Sequence, residues 1–245
     1  MPAEPLPSTG ASAPPPAGAP GATTPEWRCD TADLIMFHRF LRMMFHEAPA
    51  LVERVDEGDR RQAGRVAGHI AQIATALHQH HHGEDVYVWD DLATRTPACA
   101  LHVSQMRTQH AEITELLERL RTALAPWSTS ASRADAAVLL VAITRLTTTL
   151  DRHLGQEERE ILPVAAVSFT QAEWDRLAEH GRATAPKDWA LVQLGFMLES
   201  MPDAERAEFL RALPAFVRVL WSVVGRAQYR RYRARLYGPE AASRV

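Results

Sequence analysis

The stretch His80-His81-His82-Gly83-Glu84-Asp85 decides how this chain is read. His80 and Glu84 are four residues apart, a spacing that on a helix puts two side chains on one face, one turn above the other. A histidine and a carboxylate so placed can bind one metal ion or two adjacent ones. One HxxxE pair proves little, because long helices carry it by chance. A second copy changes its weight: His153 and Glu157 have the same spacing. Each pair also has a lone histidine far upstream, His38 standing 42 residues before His80 and His110 standing 43 before His153. The chain therefore reads twice as a lone histidine followed by HxxxE, the copies being offset by 72 to 73 residues.

The flanking sequence puts both copies on helices. The first helix begins near Thr31 and carries Leu34, His38, Leu41 and Phe45 on one face. Pro49 is expected to break or kink it, leaving a short piece from Ala50 to Asp56. The second runs from Asp59, a favourable N-cap, to about Ala93, with Val66, Ile70, Ile73 and Leu77 as its apolar stripe. The third has Thr96 as cap and Pro97 at its first position, and turns Met106, His110, Ile113, Leu117, Leu120 and Leu124 inward. The fourth opens at Ser132 to Asp135 like a short capping box. It continues through Leu139, Ile143, Leu146, Leu150, His153 and Glu157, and stops before Pro163. Four long helices joined by short turns predict an all-α, up-down-up-down four-helix bundle over residues 28–165. In it His38, His80, Glu84, His110, His153 and Glu157 can all reach one level of the core.

Outside the bundle the pattern changes. Residues 1–27 are rich in Pro and Ala and read as a disordered tail, too poor in large apolar side chains to offset their ordering entropy. Residues 166–245 read as a C-terminal helical extension. Thr170 to Glu173 is a capping box opening a helix to about His180. Further helices are expected near Pro186, Pro202 and Pro214, each proline in the first turn. Trp189, Leu191, Leu194, Phe196 and Leu198 are apolar nearly all round, so this part is expected to pack on the bundle. In the last helix Tyr229, Tyr232 and Leu236 form one buried stripe. Arg226, Arg230, Arg231, Arg233 and Arg235 then lie mostly on the other side, in water or paired with acids, which predicts no nucleic-acid partner.

Composition narrows the function classes. A chain of 245 residues, 46% hydrophobic, can hold one large domain or two small ones. Its net charge of −3 implies no global attraction to nucleic acid or anionic membrane. The longest apolar run, Ala136 to Ile143, is far too short to span a bilayer, and the N-terminus lacks the pattern of a signal peptide. Cys29 and Cys99 make no disulfide framework. A soluble cytoplasmic protein without a membrane partner is the default expectation.

Four histidines and two carboxylates suit a dinuclear iron site in a helical bundle, with manganese a weaker fit. If Glu84 and Glu157 each bridge two metals, each metal receives two carboxylate oxygens and two histidines. Two octahedral positions per metal remain, one shared through an oxo or hydroxo bridge, and open positions are where dioxygen, peroxide or nitric oxide would bind. Zinc fits less well, since structural zinc takes four closed ligands, often with sulfur. A single buried histidine is more often a core residue than a ligand; the repeated spacing is what argues otherwise here. His69 shares the face of His80 but lies three turns away, which suits a packed or hydrogen-bonded core residue. His46 is expected at the surface, and His180, beside Gly181, at a helix end as a capping residue. His81 can reach the edge of the site, and Tyr87 can lean toward it.

These residues resemble the hemerythrin-like, or HHE cation-binding, domain family. The resemblance is carried by His38-Arg39, by His80 to Asp85 with Trp89, by His110, and by His153-Leu154-Gly155-Gln156-Glu157-Glu158 with Leu162-Pro163. It covers roughly residues 31 to 165. It implies a four-helix bundle with a non-haem di-iron centre that handles dioxygen or related small molecules, His38, His80, Glu84, His110, His153 and Glu157 being the ligands. Oxygen-carrying hemerythrins have a second histidine on the third helix, where this chain has Met106 and Thr114. Their fourth-helix carboxylate is also five residues from its histidine, not four. The chain thus looks like the bacterial HHE branch, and its C-terminal helices look like those of some actinobacterial members. Binding or reaction with dioxygen or peroxide is the leading expectation, with catalase-like turnover one form of it. The alternative is a non-enzymatic iron, redox or nitric-oxide sensor acting through its C-terminal helices.

Overall fold

The computed structural model describes residues 26–238, and every regular element among them is a helix. The tail expected over residues 1–27 lies almost wholly outside the described residues. The bundle comprises α1 (Ala32–Glu53), α2 (Arg60–Tyr87), α3 (Trp89–Arg95), a 3₁₀ turn at Pro97–Cys99, α4 (Ala100–Ser130), α5 (Arg133–Glu160) and α6 (Leu162–Ser168). α1 packs on α2 and α5, and α4 packs on α2 and α5, which closes the four long helices around one core.

The repeat in the sequence is a repeat in the backbone. α2 and α5 are both 28 residues long and begin 73 residues apart. Each starts at a side-chain cap: Asp59 accepts from the Gln62 N–H, and Ser132 Oγ accepts from the Asp135 N–H. Each ends at a β-branched residue with stretched φ, Val88 at −116° and Ile161 at −102°. The N–H groups of those residues still bond to Glu84 O and Glu157 O, both at 2.9 Å. A seven-residue helix follows in each case, α3 or α6.

Several boundaries differ from expectation. The second helix does not continue to Ala93; it breaks at Val88 so that Trp89 and Leu92 of α3 can turn in and bury completely. Pro49 does not end α1, which runs through it to Glu53. Proline removes one backbone donor there, but Ala48, Leu51 and Val52 are buried around it, and their packing holds the last turn. Thr96 makes no side-chain cap, and Pro97 opens the 3₁₀ turn before α4.

Two apolar clusters fill the interior. One, including Phe40, Leu41, Leu77, Ile113, Leu150 and Leu154, occupies the body of the bundle. The other, including Leu34, Trp89, Leu92, Met106, Ile161, Phe169 and Trp174, closes one end. On each long helix the candidate ligands fall between the two: His38 between Leu34 and Leu41, His110 between Met106 and Ile113, Glu157 between Leu154 and Ile161. The polar level is thus enclosed by hydrocarbon above and below.

The extension contains α7 (Gln171–Thr184), α8 (Ala190–Ser200), α9 (Asp203–Ala212), α10 (Ala215–Leu220), a π turn at Trp221–Gly225 and α11 (Arg226–Tyr237). The Thr170–Glu173 capping box opens α7. α7 packs on α2, α8 on α1, and α11 on α8 and α2. Pro202 and Pro214 occupy the N-cap positions of α9 and α10, one residue before the first turn. α7 extends past His180 to Thr184, so His180 is a mid-helix residue and not a cap; its ring lies between those of His82 and Tyr87. Gly195 permits the approach of α8 and α11, because a Cβ there would stand 2.3 Å from the Tyr229 ring. Arg233 departs from the expected solvent face of α11. It is buried and ion-paired with Glu199 at 2.9 Å, and Glu199 also accepts from the Tyr229 hydroxyl.

His69 joins the bundle to the extension. It is buried among Trp189, Phe196 and Tyr232, and its Nδ1 lies 3.1 Å from the Tyr232 hydroxyl. Burial pushes its pKa down to about 3. The folded protein therefore keeps His69 neutral while the unfolded chain protonates near 6.5, so its contribution is present above pH 6.5 and lost as pH falls below it. Relative to His69→Phe, the wild type is expected to lose about 1.4 kcal/mol per pH unit between pH 6 and 4. Urea unfolding across that range measures it, and parallel pH profiles would contradict it.

Candidate metal centre

Seven buried side chains converge at the polar level: His38 from α1; His80, His81 and Glu84 from α2; His110 from α4; and His153 and Glu157 from α5. They form two groups, each with donor atoms within 4.8 Å of one another. One is His38, His80, Glu84 and Glu157; the other is His81, Glu84, His110 and His153. Glu84 belongs to both. Its Oε1 lies 3.3 Å from His80 Nε2 and its Oε2 lies 3.4 Å from His110 Nε2, so the carboxylate spans the two groups. Glu157 Oε2 lies between His38 Nε2 and His153 Nε2, at 3.6 and 3.7 Å. His38 Nε2 and His80 Nε2 approach to 3.1 Å.

A second layer fixes the rings. His38 Nδ1 lies 3.0 Å from Glu158 Oε1, which also accepts from Arg42 at 2.7 Å. His110 Nδ1 lies 2.9 Å from Asp85 Oδ1, and His153 Nδ1 lies 2.9 Å from Gln109 Oε1. Gln109 is held in turn by Gln156. An oxygen acceptor at each Nδ1 puts the ring proton there and leaves the Nε2 lone pair facing the centre, which is how metal-ligating histidines are oriented. The two lone histidines are held across the repeat: His38 by the acid that follows Glu157, and His110 by the acid that follows Glu84. On a helix the next residue is rotated by about 100°, which aims it at the neighbouring helix.

The electrostatics of this level are unbalanced. Burial raises the pKa of Glu84 well above the ordinary carboxylate range, with Glu157 adding to it, and raises that of Glu157. Burial pushes His80 and His81 well below the usual histidine range, and His153 down to about 2. Burial opposes ionisation of Glu158, but hydrogen bonds from His38 and Arg42 outweigh it and hold its carboxyl at about 2. At the centre itself, His81 Nε2, His110 Nε2, His153 Nε2, Glu157 Oε2 and both oxygens of Glu84 have no hydrogen-bond partner among the described residues. Unpartnered buried acceptors are costly, and a cation among them removes that cost and reverses the burial shifts. The donor set therefore fits a metal ion.

The structure brings all six sequence-derived candidates together and adds His81. Its ring stacks on His110 at 4.1 Å and meets His153 edge-on. The sequence held the signal: Glu84 is four residues after His80 and three after His81, and both spacings share a helix face. Tyr87 points away and packs on His180. His46 is exposed and paired with Asp151. Asp85, Glu158 and Gln109 orient the rings only through tertiary contacts, and their one local signal is the acid that directly follows each glutamate of the repeat.

An all-α bundle carrying a buried layer of histidine and carboxylate donors defines a cation-binding helical protein. The family model described as the hemerythrin HHE cation binding domain matches residues 30–165, and the chain belongs to that family. Comparison with curated proteins and with solved structures gives no match.

Removing the orienting acids is expected to weaken the metal without removing a donor. Glu158→Gln and Asp85→Asn should each lower metal affinity by roughly 10- to 100-fold, with His46→Ala unchanged. Chelator competition measures this, and three equal affinities would contradict it.

Proposed function

We propose that the two groups hold two iron ions side by side, that Glu84 and Glu157 bridge them, and that the loaded protein binds or reacts with dioxygen, peroxide or nitric oxide. The observation that carries this reading is the reach of Glu84 into both groups, each oxygen beside a different histidine. His38 and His80 serve one position; His81, His110 and His153 serve the other. The mixture of nitrogen and oxygen donors without sulfur suits iron, and manganese less well. Iron so held supplies redox change and exchangeable positions for a small ligand.

The remaining residues prepare that chemistry. Glu158, Asp85 and Gln109 fix three imidazoles and keep their Nε2 atoms unprotonated. Carboxylate acceptors also raise the donor strength of His38 and His110. Trp89 and Met106 on one side and Leu77, Ile113 and Leu150 on the other exclude water from the level.

A second reading is a non-enzymatic iron or redox sensor. It is favoured by the docking of α8 on α1 and of α11 on α2, two helices that carry donors. A change of metal state can thereby reach the extension. Sustained peroxide turnover by the iron-loaded protein supports the first reading and contradicts the second.

Protein purified from iron-replete medium is expected to hold two irons per chain. Near-ultraviolet absorption of a bridged ferric pair, shifted by azide, should accompany them. Glu84→Ala should lose both ions, His81→Ala should retain at least one, and His46→Ala should retain both. One zinc and no iron per chain, or equal iron in all three variants, would contradict this assignment.

A further inference from the structure

Five of the eleven large apolar side chains exposed among the described residues fall within nine consecutive positions. They are Phe216, Val219, Leu220, Val223 and Val224, between 44% and 72% exposed. They recur every three or four residues and so share one side of the helix formed by α10 and the π turn. The opposite side is anchored: Trp221, Gly225, Tyr229 and Arg233, each four residues from the last, are buried toward the bundle. The wider winding of the π turn keeps that four-residue spacing in line, which fixes the apolar stripe outward. Neither α9 nor α10 contains a buried residue.

We propose that this stripe is an interface with a second copy of the chain, paired antiparallel about a two-fold axis at Leu220. A two-fold interface must be self-complementary. Leu220 is the centre of the stripe, with Phe216 four residues before it and Val224 four after, and with Val219 and Val223 beside them. Two copies so paired set Phe216 against the partner copy's valine, and Leu220 against its own counterpart. The only charge in the segment, Arg218, is turned aside to donate to Arg211 O and Leu213 O, both at 3.0 Å, and across the axis it stands opposite a serine position. No like charges meet within the stripe. Its five exposed side chains offer roughly 550 Å² per copy, so complete burial on pairing removes at most about 1,100 Å², close to the roughly 1,000 Å² a specific interface needs. The proposal does not depend on which metal the centre holds.

Sedimentation of the full metal-loaded chain from low to high micromolar concentration tests it. The wild type should be a dimer, and Leu220→Glu a monomer with unchanged helicity and metal content. In a Cys99→Ser background, Leu220→Cys should form a disulfide-linked dimer under mild oxidation, whereas Leu101→Cys, on an exposed site elsewhere, should not. A monomeric wild type would overturn the proposal, as would a dimer that survives both Leu220→Glu and Val223→Glu. A monomer that floats with anionic vesicles through this stripe would overturn it too, and would assign the surface to lipid.

Discussion

Seven ionisable side chains buried in one layer, with too few hydrogen-bond partners among themselves, are the constraint on which the rest of this protein depends. Burial alone would strip Glu84 and Glu157 of their charge and hold His80, His81 and His153 neutral. A helical bundle gains nothing in stability from such a layer unless something positive occupies it. The fold is arranged to keep the layer intact. Two apolar clusters enclose it, and the paired breaks at Val88 and Ile161 turn α3 and α6 across one end.

The internal repeat explains both the symmetry of the centre and its departures. Each half gives a lone histidine and an HxxxE pair, and each acid after the glutamate reaches the lone histidine of the other half. The halves differ where His81 stands in one and Leu154 in the other, so one group is richer in nitrogen. They differ again beside the second histidine, since His153 is hydrogen-bonded to Gln109 whereas His80 packs on Phe37. A duplicated framework thus carries two unlike positions.

The bundle and the six primary candidates were legible because helical periodicity and the HxxxE spacing are local properties of the chain. What the sequence hid depends on tertiary packing. Pro49 reads as a breaker, yet buried neighbours on the same turn carry α1 through it. Nothing in Val88-Trp89-Asp90 signals a break; the burial of Trp89 and Leu92 imposes one. His81 reads as peripheral from its rotation relative to His80 alone, and becomes central because α4 and α5 bring His110 and His153 to it. Phe216 to Val224 has the apolar pattern of a buried helix, and only the packing of α11 shows that this face is left outside. The sequence allows Arg233 to lie in water or to pair with an acid, and only the packing of α8 shows that Glu199 is the acid and that the pair is buried.

Anomalous diffraction at the iron edge from crystals of the iron-loaded chain locates the metal ions relative to Glu84. Two iron peaks per chain are expected, one on either side of Glu84, the first beside His38 and His80 and the second beside His81, His110 and His153. A single peak, or two peaks that do not share Glu84, would contradict that arrangement.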